Sequence, residues 1–196
     1  MIKLNARQLR TREPNPIVIK NIKKNPIYII LDNVLDTYNV GAIFRLADAV
    51  AAEKIFLCKE TETPPNPKIK KASINTWQWV DWEYRETALE AIADLKNSIK
   101  SQSNRSKRGS TSHASHASKF KIVVVEQHKK SIPLAKFKPE FPIAVVVGNE
   151  TYGVSKEVLD IADTIVELPM YGINKSLNVM VCCGIILYRI IEFLPR

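Results

Sequence analysis

Cysteine is scarce and without pattern in this 196-residue chain: Cys58 stands alone and Cys182 and Cys183 are adjacent, an odd count with no C-x-x-C spacing. Neither a disulfide framework nor a thiolate metal site is signalled, and a reducing, intracellular compartment is expected. Histidine is equally sparse. His113 and His116 fall in a low-complexity stretch and His128 is isolated, so no zinc set and no nucleophile–base pair has a scaffold. No G-x-G-x-x-G follows the first apolar run, and no G-x-x-x-x-G-K-S/T occurs anywhere. A Rossmann dinucleotide site and a P-loop are therefore not signalled. The longest apolar stretch, around VMVCCGIILY, is far short of a membrane span, and MIKLNARQLRTREP at the start lacks the apolar core of a secretory signal. A soluble, cytoplasmic protein is the expectation.

What is present begins with charge. The formal net charge is +9, unevenly spread. Residues 1–25 carry 7 Lys/Arg against Glu13, residues 26–94 carry 7 against 11 acids, residues 95–121 carry 7 against none, and the remainder balances at 8 against 8. A slightly acidic body with two basic appendages suits an RNA or DNA binder, because phosphate contacts supply most non-specific affinity. With 45% hydrophobic residues, a chain of this length can bury one sizeable core. One domain, residues 26–196, preceded by a basic arm at 1–25, is expected.

The runs PIYIILD (26–32) and KIFLC (54–58) are short and continuously apolar, and NVGAIFRLADAV between them has helical spacing. That is a β-α-β unit. WQWVDWEY alternates as a strand would, and ETALEAIADLKN has apolar positions at helical intervals. Residues 97–118, NSIKSQSNRSKRGSTSHASHAS, hold one Ile among Ser, Asn, basic and small residues. They read as a mobile, low-complexity basic insertion. Beyond it KIVVVE (121–126), FPIAVVVG (141–148) and TIVELP (164–169) are strand runs, SKEVLDIA is a helix with Ser155 at its start, and a last helix opens near Ser-Leu-Asn. The alternation predicts an α/β fold: a parallel sheet with helices on both faces, with ligands at the carboxyl ends of the strands.

Three segments place polar residues where such a fold needs none. In NVGAIFR (39–45), Asn39 sits where it can cap a helix, Gly41 permits a close approach, and Arg45 shares a face with Gly41, Ala42 and Asp48. In VVGNETYGVS (146–155), Asn149 and Glu150 follow the strand that Gly148 closes. In LPMYGINKSLNV (168–179), Ser176 and Asn178 stand at the mouth of the last helix, where free N–H groups point.

Together these segments, in this order and at this distance from the end, resemble the SpoU (TrmH) family of RNA 2′-O-ribose methyltransferases within the SPOUT superfamily. The resemblance covers roughly residues 26–194. It implies a C-terminal deep trefoil knot, an exception to the rule that chains avoid knots. It also implies S-adenosylmethionine as cofactor and no metal. Val125 and Glu126, Gly148, the segment Leu168, Met170 and Gly172, and the turn Ser176 and Leu177 would surround the adenosine, largely through backbone groups. The family resemblance further implies a homodimer packed through the last helix, whose apolar residues, among them Val181, Ile185, Ile186 and Ile190, cover most of its circumference.

Family resemblance gives the central catalytic role to Arg45. Because arginine is effectively never deprotonated in proteins, the expected role is a cation that stabilises the developing alkoxide or grips the neighbouring phosphate. Glu150 is expected to orient Arg45 by a charge-assisted pair, with Asn39 and Asn178 holding the ribose or the arginine. The chain departs from the family at Leu46, at Val50-Ala51 and at Met180-Val181-Cys182-Cys183, all packing positions. With about 25 basic-rich residues before the first strand, the grip on tRNA or rRNA is expected to fall to that arm and to the insertion. A catalytically silent, knotted RNA-binding dimer and a base methyltransferase of the same superfamily remain the alternatives.

Overall fold

The computed structural model describes residues 4–11, 14–107 and 120–194. Two short helices, α1 (Ala6–Thr11) and α2 (Pro16–Lys20), precede β1 (Asn25–Asp32), α3 (Thr37–Ala49), β2 (Ala52–Cys58) and α4 (Pro67–Ser73). There follow β3 (Trp82–Arg85), α5 (Ala88–Lys107), β4 (Lys121–Val125), β5 (Ile132–Pro133), β6 (Ile143–Gly148), α6 (Lys156–Ile161), β7 (Thr164–Glu167) and α7 (Val179–Ile191). The strands form one seven-stranded sheet in the order β3-β2-β1-β6-β4-β7-β5, and every pairing is parallel.

The continuously apolar runs are explained by burial on both faces of the sheet. Ile27, Ile29 and Leu31 of β1 join one core with Val145 and Val147 of β6 and the inner faces of α3 and α7. Ile30, Val124 and Val146 point the other way, into a core shared with Ala88, Ile92 and Leu95 of α5 and Val158 of α6. Such alternation follows from the period of two along a strand. Among the described residues, no helix is long and apolar enough to cross a membrane.

Four local expectations are corrected. The Trp-rich stretch is strand only from Trp82, because Ile74 (φ 54) and Asn75 (φ 65) turn the chain out of α4 into a single 3-10 turn at Thr76–Gln78. There Trp79 Nε1 donates to Asp48 Oδ1 at 2.6 Å. The first part of the expected loop at 97–118 is helical: α5 continues to Lys107, through a run that holds no Gly or Pro before Gly109. The remainder, 108–118, lies outside the described residues. Helix α3 is capped by Asp36, whose side chain accepts from Tyr38 N at 2.8 Å. Asn39 is instead its third residue. Helix α7 begins at Val179 with Asn178 as its cap, so Ser176 and Leu177 precede it.

The burial of α7 also differs from an all-round apolar helix in need of external cover. Val179, Cys183, Ile186, Leu187 and Ile190 are buried against the chain's own sheet. Val181, Ile185 and Tyr188 form the outward stripe, at 38, 39 and 53% exposure. Burial pushes the thiol of Cys183 up to about 12.

Gly41 is where α3 meets α4. A Cβ there would lie 2.6 Å from Ala72 Cβ and 2.8 Å from the Ile69 carbonyl oxygen. Gly41→Ala should therefore destabilise the protein by about 1–3 kcal/mol, as overpacking does. The check is the midpoint of urea unfolding. An unchanged midpoint would mean that the two helices separate without cost.

Candidate functional site

The carboxyl ends of β1, β4, β6 and β7 point to one edge of the sheet, and the loops that follow them are bound to one another by side chains. After β6 the chain turns back on itself: Asn149 and Gly153 pair as an antiparallel bridge. Asn149 Oδ1 accepts from Thr151 N at 2.8 Å and from Tyr152 N at 3.0 Å. Gly148 is required by this fold-back, since a Cβ on it would lie 2.3 Å from Gly153 C and Val154 N. Gly153 has φ +72 and sits on the Glu126 carboxylate, which also accepts from Val154 N at 3.1 Å and Gln127 N at 2.9 Å.

Asn149 Nδ2 donates to the Asn33 carbonyl at 2.9 Å, tying this turn to the loop after β1. Glu150 completes the tie. Its Oε2 accepts from Leu35 N at 3.1 Å, and its Oε1 accepts from Asp36 N at 3.1 Å and from Asn39 Nδ2 at 3.0 Å. Asn39 Oδ1 in turn accepts from Asn178 Nδ2 at 2.9 Å, and Asn178 Oδ1 accepts from Met180 N at 2.9 Å. A carboxylate at one end and a helix N–H at the other leave only one orientation for both amides. Asn39, 6% exposed, is thereby bonded through both its amide nitrogen and its amide oxygen.

The pKa of Glu150 reflects this setting. Partial burial alone would push the carboxyl up, but the hydrogen bonds from Asn39, Leu35, Asp36 and its own backbone outweigh it and hold it below its ordinary value. Its charge is thereby held in place as the acceptor of three hydrogen bonds.

Beside the chain of amides lies a cavity of about 490 Å³. Of the residues expected around a cofactor, Val125, Glu126, Gly148, Leu168, Met170, Ser176 and Leu177 line it, as do Glu150 and Asn178. Gly172 does not, and it has nothing within 4 Å of where a Cβ would stand. Asn149, singled out with Glu150 in the sequence, also lines it, and so do Gln127, Lys175 and Cys182, which were not foreseen. Gln127 Nε2 donates to the Lys175 carbonyl at 2.5 Å, closing the loop before α7 over the end of β4. Its position directly after Glu126 was the only signal. Among the described residues, no cluster of His, Cys, Asp and Glu could hold a metal ion.

Arg45 is not brought to this network. It is exposed and has no ion pair among the described residues. The expected pair with Glu150 is not formed, for two reasons. Six residues along α3 amount to a rise of roughly 9 Å from Asn39, with the side chain turned to another face. Glu150, moreover, is already occupied by three donors.

The family model described as SpoU rRNA Methylase matches residues 26–188, and the chain belongs to that family. It is 32% identical over 192 residues to the tRNA (guanosine(18)-2′-O)-methyltransferase of Aquifex aeolicus, covering 95% of this chain and 76% of that protein. The crystal structure of the A. aeolicus TrmH/SpoU tRNA modifying enzyme superimposes with a TM-score of 0.68 at 28% identity, covering 94% and 79% of the two chains. An AdoMet-bound rRNA methyltransferase from Sinorhizobium meliloti shares the fold, with a TM-score of 0.69 at 24% identity, over 91% of this chain and 61% of that one.

Because the folded-state pKa of Glu150 is lowered, its contribution to stability is full above the ordinary value of about 4.5 and is lost as pH falls through the folded value. Glu150→Gln should therefore lower the melting temperature at pH 7, with the gap to wild type narrowing below about pH 4.5. Thermal unfolding across pH 3 to 7 measures this. A gap independent of pH would show that the charge contributes nothing.

Proposed function

We propose that this chain transfers a methyl group from S-adenosylmethionine to the 2′-hydroxyl of a ribose in tRNA or rRNA. The observation that carries the reading is the Glu150–Asn39–Asn178 hydrogen-bond chain on the rim of the 490 Å³ cavity, in a member of the SpoU family. Relatives named as tRNA and rRNA 2′-O-methyltransferases favour ribose over base.

The cavity suits the cofactor by its chemistry. It falls within the roughly 300–1,000 Å³ range of small-molecule sites. Apolar walls from Val125, Val147, Leu168, Met170 and Leu177 suit an adenine. The carboxylates of Glu126 and Glu150 against the single cation Lys175 suit a positively charged ligand. When bound, S-adenosylmethionine supplies a methyl group on a sulfonium, already activated for transfer to an oxygen. The cofactor set is Val125, Glu126, Gly148, Leu168, Met170, Ser176 and Leu177.

The chain's own groups align and polarise. Asn178 has one amide hydrogen left after its bond to Asn39, directed by its fixed orientation to serve the ribose. Glu150 and Asn39 hold it there. Arg45 stands apart from this network and outside the cavity lining, exposed and without an ion pair among the described residues, so its role is that of a free cation that the bound RNA brings to the developing alkoxide or the adjacent phosphate. Further grip on RNA comes from exposed Arg7 and Arg10 on α1 and Lys68, Lys70 and Lys71 on α4, none of which has a carboxylate partner among the described residues. Asn75 Nδ2 joins these two helices by donating to the Leu9 carbonyl at 3.0 Å.

Two finer features belong to the same reading. The segment from β6 through β7 to α7 threads as a trefoil knot, a reading supported by the lodging of β6 between β1 and β4. Two copies pair through the outward stripe Val181, Ile185 and Tyr188, the apolar side chains that α7 leaves exposed.

Labelled S-adenosylmethionine incubated with the protein and total RNA, followed by digestion to nucleosides, should place label in a 2′-O-methyl nucleoside. Label in a methylated base would sink the reading. Arg45→Ala should slow single-turnover transfer by about a hundredfold or more, and Arg45→Lys nearly as much, because the planar fork is not replaced by a point charge. Cofactor affinity should stay unchanged in both. Full turnover in either variant removes Arg45 from the site.

Ile185→Asp should yield a folded monomer by sedimentation, whereas Ile186→Asp buries an unpaired charge in the core and should unfold the chain, at a cost of several kcal/mol, roughly. A monomeric wild type would overturn the dimer.

A further inference from the structure

A second, open cleft, of about 470 Å³, lies between the edge strand β3 and the loop at the carboxyl end of β2, and shares no lining residue with the cofactor cavity. Trp82 and Tyr84 line it from β3, and Lys59, Glu60, Thr61 and Glu62 line it from the loop after β2. We propose that this cleft binds one unpaired nucleobase of the RNA substrate, flanking the methylated nucleotide, and favours bases that carry an exocyclic amino group. The inference rests on the reading of the chain as an RNA methyltransferase.

Three observations carry it. First, Trp82 and Tyr84 are two residues apart on an edge strand and so share a face. Tyr84 is 40% exposed. Aromatic surface of this kind is how single-stranded bases are held, by stacking. Second, the charge is wrong for a phosphate. Glu60 and Glu62 have no ion-pair partner among the described residues, and Lys59 faces the buried Asp32 carboxylate at 3.8 Å. Free carboxylates accept from amino groups such as cytosine N4 and repel phosphate. Third, the cleft is mechanically joined to the methyl-transfer site. Asn33 Oδ1 accepts from Glu60 N at 3.0 Å, while the Asn33 carbonyl accepts from Asn149 Nδ2, next to Glu150. Three strand spacings, roughly 14–15 Å, separate the ends of β6 and β3. That distance fits a neighbouring nucleotide, not the target itself. Thr61 lines the cleft with a hydroxyl that is buried without a partner among the described residues, a group that a ligand could pair.

The test uses the full chain and fluorescein-labelled C8 and U8 oligoribonucleotides, two pyrimidines of similar stacking area, read by anisotropy. Wild type should bind C8 at least fivefold more tightly than U8, and the double variant Glu60→Gln, Glu62→Gln should lose that preference. Tyr84→Ala should weaken both by about tenfold and raise KM for RNA by a similar factor, with kcat and S-adenosylmethionine affinity unchanged. Tyr84→Phe, which keeps the ring but loses the hydrogen bond from Tyr84 Oη to the Lys59 carbonyl, should bind as wild type does. Equal affinity of wild type for C8 and U8 overturns the amino readout. Tyr84→Ala with wild-type binding, or Tyr84→Phe failing as badly as Ala, overturns the stacking site, the latter because it points to loop support. Failure of wild type to methylate any RNA would strike the proposed activity, and the anisotropy comparison would still decide the cleft.

Discussion

Everything at the carboxyl edge of this sheet depends on one carboxylate. Glu150 accepts three hydrogen bonds, from the backbones of Leu35 and Asp36 and from the Asn39 amide, and so fastens the turn after β6 to the loop and helix after β1. A carboxylate satisfied by N–H donors is stronger than a neutral acceptor and keeps its charge. Its position then dictates the rest. Asn39 is oriented by Glu150, Asn178 by Asn39, and the first turn of α7 by Asn178. The cavity wall is thus built outward from a single charge, without a metal or a disulfide among the described residues.

A second carboxylate does comparable work on the neighbouring loops. Asp32 ends β1, is 1% exposed, and accepts from Ser155 N at 2.8 Å at the mouth of α6. The sequence places Ser155 at the start of α6, and it does stand at the N-cap, but its own hydroxyl makes no capping bond. The carboxylate from β1 occupies that role instead. Sequence alone marks Ser155 as a helix start but cannot show that an acid 123 residues earlier supplies the acceptor.

The division between what was legible and what was not follows the range of the interactions. The buried strands of β1, β4 and β6 were evident because burial on both faces leaves a continuous apolar run. Seven of the eight residues expected around the cavity do line it, because the family resemblance fixes which loops meet, and the exception, Gly172, has nothing within 4 Å of where a Cβ would stand. The cap of α3 was misread because Asp36 and Asn39 are equally good capping residues locally, whereas for α7 the sequence left Ser176 and Asn178 both open. Only the tertiary partner Glu150 decides between the first pair. Arg45 was placed beside Glu150 on grounds of charge, but helix geometry separates them. The helical continuation to Lys107 was missed because low complexity was read as disorder, although no residue before Gly109 breaks a helix.

The amide chain has one more consequence, in the life of the molecule rather than its chemistry. The bonds from Glu150 to Leu35 and Asn39, and from Asn178 to Asn39, span 115, 111 and 139 residues. Contacts of such separation close only after nearly the whole chain is available, and they form slowly because of the loops they must close. A chain still under synthesis carries Asn39 long before Asn178 exists. Its apolar strands can pair early and Glu150 can reach Leu35 and Asn39 once β6 is made, but the link from Asn39 to Asn178, and the cavity wall at the mouth of α7, must wait for the last helix.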